Sequence, residues 1–203
     1  MKNCILYCFC FIFLFACDNG LETVEEKEED GSLTRYVRKK ENFAKHGELV
    51  RLNGKGLKQE EARYEEDVLH GERRLYYETG ELQILERHNK GQFEGKYQIF
   101  HKNGQLKFEA SYQKGSLEGQ GKSYYDDGQL KEVVTFAKNE ENGPFEEYHP
   151  NGKVKARGQY LDGDNEHGLL ELFDENGELI KKMNCTRGIC RTSWEKEKGE
   201  ASS

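Results

Sequence analysis

Glycine recurs along this chain at a fixed interval. Gly56, Gly80, Gly104, Gly128 and Gly152 stand 24 residues apart, and Gly177 follows after 25. A second series, Gly47, Gly71, Gly95, Gly119, Gly143 and Gly168, keeps the same steps. Two glycine series in phase mark internal repeats. In such arrays each copy is one supersecondary unit that buries its apolar face by stacking on its neighbours.

The other slots of the repeat say which unit it is. Four residues before each turn glycine stands Tyr76, Phe100, Tyr124, Tyr148 or Phe173, with Leu52 in the first copy. Two residues after it stands Leu82, Leu106, Leu130, Val154 or Leu179, and eight after it Tyr64, Tyr112, Phe136 or Tyr160. Asn103, Asp127, Asn151 and Asn176 directly precede their glycines, and Asn-Gly or Asp-Gly between alternating residues signals a β-hairpin. A three-residue loop, Lys102-Asn103-Gly104 with Gly104 left-handed, sets Phe100 opposite Leu106 and Gln98 opposite Phe108. A two-residue loop would throw the apolar residues onto opposite faces. Beyond the turn, Leu106, Phe108, Ala110 and Tyr112 alternate with Lys107, Glu109 and Ser111, the period of a half-buried strand. The expectation is an all-β chain, an elongated solenoid-like antiparallel sheet of tandem hairpins.

Without that periodicity the composition would point to disorder. The 203 residues are 34% charged and 34% hydrophobic, with a mean hydropathy of -0.98, so little apolar surface is available against the entropy of ordering. The 22 Gly, 11 Tyr and 11 Phe against 2 Pro fit sheet and turns instead. A net charge of -7 argues against nucleic-acid binding, which needs a basic stripe for the phosphates.

At the N-terminus, Lys2 precedes an apolar run from Cys4 to Ala16 that ends at Cys17 and turns polar at Asp18. The run is shorter than the roughly 20 residues of a membrane-spanning helix and suits a signal peptide over residues 1–16. Leu14-Phe15-Ala16-Cys17 resembles the bacterial lipobox, which implies lipidation of Cys17, a membrane anchor and an extracytoplasmic location. Residues 17–42, rich in Glu between Glu22 and Glu29, read as an acidic flexible tether, and residues 191–203 as a polar tail. Export leaves Cys185 and Cys190 as an even pair in an oxidising compartment, candidates for a local disulfide.

Tyr124-Tyr125-Asp126-Asp127-Gly128-Gln129-Leu130 and Tyr148-His149-Pro150-Asn151-Gly152-Lys153-Val154 resemble the bacterial MORN repeat of the second type. The resemblance runs from about Gly47 to Cys190, within a repeat domain of residues 43–190. It gives six copies at about 47–70, 71–94, 95–118, 119–142, 143–167 and 168–190. Proteins of this kind include YwqK-family antitoxin-like components and lipoproteins. The resemblance implies a hairpin array that binds other macromolecules and performs no chemistry.

No catalytic constellation emerges. The six histidines form no cluster in sequence; His101 and His149 share a slot, and each reads as a surface or strand-end residue. Asp162-Gly163-Asp164-Asn165-Glu166 opens like a calcium loop but has His167 where Gly is required and Phe173 at the twelfth position, so a solvated turn is expected. No metal, cofactor or catalytic residue is assigned. The expected role is a membrane-anchored scaffold presenting its sheet to a protein partner, immunity- or antitoxin-like in type. The alternative is a structural envelope lipoprotein without a discrete ligand.

Overall fold

The computed structural model describes residues 20–197. The segment expected to be a signal peptide and Cys17 lie outside them. Eighteen strands are described and no helix. The long strands pair antiparallel in chain order, each with the strand before and the strand after it, in one open sheet. This meander is the arrangement the repeat predicts.

Two turn types alternate along the array. At one edge the peptide N–H of Gly104 donates to the His101 carbonyl at 2.9 Å, and that of His101 to the Gln105 carbonyl at 2.8 Å. Gly104 sits at φ 84°, in the left-handed region where a Cβ is disfavoured. The expected cross-strand pairs all form: Tyr76–Leu82, Phe100–Leu106, Tyr124–Leu130, Tyr148–Val154 and Phe173–Leu179. At the other edge are two-residue loops with both residues at positive φ, such as Lys90-Gly91 and Lys114-Gly115. Those are type I′ turns, whose twist matches that of the flanking strands. A third glycine series in the sequence marks them, with Gly91, Gly115 and Gly188 each eleven residues after a turn glycine.

One register expectation fails. Immediately after the Phe100–Leu106 pair the ladder shifts, so that Ile99 faces Phe108 and Gln98 faces Glu109. The extra residue is a β-bulge, repeated in the neighbouring hairpins. A bulge reverses which side chains share a face. Phe100 and Leu106 therefore stand on the face of Gln98 and Glu109, away from Phe108 and Ala110.

The acidic tether is also corrected. Leu21–Lys27 and Leu33–Lys39 form a hairpin with seven consecutive pairs, and Leu33–Lys39 continues into the next strand of the sheet. Its acids are matched across the ladder: Arg35 Nε lies 2.6 Å from Glu25 Oε1, and Arg38 Nε 2.8 Å from Glu22 Oε1. Such exposed pairs contribute only about 0.2–1 kcal/mol each. The larger contribution is burial of Tyr36 with Leu49 and Ala62, on which Val24 packs. The polar tail begins later than expected as well, because Ile189–Glu195 is a strand paired with Leu179–Thr186.

Candidate functional site

The bulge divides the side chains between a packed face and an open face. On the packed face, facing residues are complementary in volume. Leu49 faces Ala62, Tyr97 faces Ala110, and Phe145 faces Gly158. At Gly121–Val134 the small residue moves to the first strand. Large-against-small pairing lets a single sheet layer fill its own surface. Leu49, Ala110, Val134 and Phe145 are buried as a result. The slot eight residues after each turn glycine stands opposite a glycine of the second series, as in Gly95–Tyr112 and Gly143–Tyr160. Those glycines sit at positive φ, and Tyr160 stacks on Phe145 with centroids 4.1 Å apart.

Two parts of the packed face carry charge. In the second copy Arg73 and Glu86 occupy the slots that elsewhere are apolar or small. Arg73 Nε lies 2.6 Å from Glu60 Oε1 and Nη1 3.0 Å from Glu86 Oε1, while His88 Nε2 lies 3.0 Å from the same Glu86 oxygen. His88, expected at the surface, is buried with Glu60 and Glu86, because its slot belongs to the ring row of the packed face. Further along, Glu132 stands directly opposite Glu147. Burial, and then the Glu147 carboxylate, push the Glu132 carboxyl above its ordinary range. Burial, with Glu132 and Asp164 nearby, does the same to Glu141. Buried beside these acids, the Tyr160 phenol is also held up.

The open face holds the aromatic belt and a row of charges. Glu109, Lys122, Val133, Glu146, Arg157 and Glu171 follow one another across six strands, each opposite the next. Opposite charges set across a ladder are favourable by a few tenths of a kcal/mol to about 1 kcal/mol per pair. The Arg157–Glu171 contact is 2.7 Å. The belt tyrosines reach into these carboxylates: Tyr124 Oη donates to Glu109 at 3.0 Å and Tyr148 Oη to Glu146 at 2.6 Å. That hydrogen bond and burial push the Tyr148 phenol up to about 12.

Over the fourth to sixth copies this face forms a groove of about 810 Å³, with Leu130, Val133, Pro144 and Leu169 among the charges. Leu169 is half exposed. A concave surface with apolar walls and a few polar groups is what ligand sites share.

The residues singled out in the sequence divide by place. Gly56, Gly80, Gly104, Gly128, Gly152 and Gly177 all sit at positive φ in the bulged turns and line one edge, apart from the groove. Cys185 and Cys190 face each other beyond the Arg187-Gly188 turn and are joined by a disulfide. Asp162 and Gly163 form a turn closed by the Leu161 N–H donating to Asn165 O at 2.9 Å. Among the described residues no three His, Cys, Asp or Glu side chains gather to hold a metal ion.

Sequence reasoning missed the groove, because the bulge that puts Leu130 beside Val133 is invisible in the period-two pattern. It also missed a ladder between copies. Tyr77 Oη donates to Phe100 O at 2.7 Å and Tyr125 Oη to Tyr148 O at 2.7 Å; between them His101 Nε2 lies 3.2 Å from Tyr124 O. His149 Nε2 completes it at 3.0 Å from Phe173 O. Since a carbonyl only accepts, each imidazole must present its Nε2–H. The slot shared by His101 and His149 was the available signal.

No curated protein matches the chain. The sequence pattern of the MORN repeat variant matches five times, over residues 69–89, 93–114, 117–138, 141–162 and 166–184. The matches take in more than half of the 203 residues, and each coincides with one bulged turn and its flanking strands. The chain belongs to the MORN repeat variant family.

Proposed function

We propose that this repeat scaffold is anchored to a membrane through lipid on Cys17 and binds a protein partner in the cell envelope along its open face. The groove carries the reading. Its walls combine the exposed Leu169 with Val133 and Pro144, and Lys122, Glu146, Arg157 and Glu171 surround them. Apolar anchors inside a polar frame are the composition of a protein-binding patch. Glu132, Glu141 and Glu147 on the packed face are read as structural and the role as non-catalytic, in keeping with the repeat family. An immunity- or antitoxin-like role is the specific form proposed, with the scaffold holding a partner protein at the membrane.

A photo-crosslinking residue at Val133 in intact cells tests the binding surface. A discrete protein adduct that is lost on Leu169→Glu is expected. Unreacted scaffold, with the same probe active in an unrelated protein, would support a structural envelope lipoprotein. Radiolabelled palmitate tests the anchor separately: label should enter the wild-type chain and not Cys17→Ala.

A further inference from the structure

The sheet is open at both ends, and its two edge strands are built differently. At the C-terminal end Ile189–Glu195 is interrupted by a bulge opposite Lys182 and Met183, which is a common way of blunting an edge. At the N-terminal end Leu21–Lys27 pairs with Leu33–Lys39 without a break and has no other strand beside it among the described residues. The Lys40 N–H donates to Gly20 O and the Glu28 N–H to Ser32 O, both at 2.9 Å. Even-numbered residues of the strand therefore bond inward, and Thr23, Glu25 and Lys27 direct their peptide groups outward.

The side chains of this edge are mostly acidic, although Glu22 and Glu25 share their charge with Arg38 and Arg35 of the neighbouring strand. Glu22, Glu25 and Glu26 lie in the strand, and Glu28, Glu29 and Asp30 follow in its loop, with Lys27 the one cation among them. Two copies meeting edge to edge would bring these acids together, so self-association at this edge is disfavoured. A basic strand would meet the reverse situation, with carboxylates on both faces beside its own side chains and outward peptide groups at Thr23, Glu25 and Lys27.

We propose that the stretch from Thr23 to Lys27 is a docking edge for an extended, lysine- or arginine-rich protein segment, which adds to the sheet as a further strand. The inference rests on the reading of the chain as a partner-binding scaffold, but at a surface separate from the groove, so crosslinking at Val133 and strand addition here can fail independently.

The test uses the chain from Asp18 to Ser203 with two synthetic heptapeptides, Lys-Thr-Lys-Val-Lys-Thr-Lys and its counterpart with Glu for Lys. Binding is followed by titration and by amide hydrogen exchange. The basic peptide should bind, lose affinity with added salt, and slow exchange at Thr23, Glu25 and Lys27 by about tenfold or more at saturation. Thr23→Pro removes an outward N–H and should abolish that protection, while Thr192→Pro at the other edge leaves it unchanged. Glu25→Gln leaves the backbone intact and should weaken binding even if Thr23→Pro fails to fold. Equal binding of the acidic peptide, protection elsewhere in the sheet, or no binding would overturn the proposal.

Discussion

Glu132 shows how single side chains set the tolerance of this sheet. Its carboxyl is raised by burial and by Glu147 opposite, so the folded chain holds that proton more tightly than the unfolded chain does. The associated stabilisation is present at low pH and is lost as pH rises from the ordinary carboxylate range through the raised value. Glu132→Gln should therefore stabilise the protein at pH 7, and the gain should shrink toward pH 4. Urea unfolding of both proteins at the two pH values measures this. A gain that grows on acidification would mean that Glu132 is held ionised by its neighbours.

Within a hairpin, the fit between facing side chains decides what the element accepts. A Cβ added at Gly121 would stand 2.5 Å from Phe136 Cε2 and 3.3 Å from Phe108 Cε2, two rings of the packed face. Gly121→Ala should cost on the order of 1–3 kcal/mol, the range for overpacking. At Gly119, two residues earlier in the same strand, a Cβ meets nothing within 4 Å but φ is 81°, so an alanine there is penalised by backbone strain alone. Thermal unfolding of Gly121→Ala, with rescue by Phe136→Leu, separates the causes; no rescue would mean the rings are not the obstacle.

The bulged turns and their pairs were legible because Asn-Gly and Asp-Gly carry their conformation with them. The face assignment beyond the turn was not, because a bulge is one residue of excess backbone with no required residue type. The N-terminal hairpin was hidden for another reason. Glu22 and Glu25 look solvated in isolation, and only the register with Arg38 and Arg35 turns them into strand residues. Glycines alone would have revealed the type I′ turns, had the series through Gly91 and Gly115 been traced. The groove is furthest from the sequence, since its walls come from five successive strands, from Gly119–Tyr124 to Gly168–Phe173.

Across the whole molecule, stability passes from hairpin to hairpin, and the end units act as caps. Tyr36 and Val24 cover Leu49 and Ala62, so a chain beginning at Lys45 should expose that cluster, melt earlier and self-associate, as gel filtration and calorimetry would show. Unchanged melting would mean the first hairpin is an appendage.

The central claim is that this is one extended sheet and not a globule folded around a buried site. Fifteen strands longer than two residues at about 4.8 Å per spacing span roughly 65–70 Å. A compact globule of this length has a radius of gyration of about 16 Å. Small-angle X-ray scattering of the chain from Asp18 onward should give a radius of gyration above roughly 20 Å, as expected for a body of that span. A value near 16 Å would contradict the account.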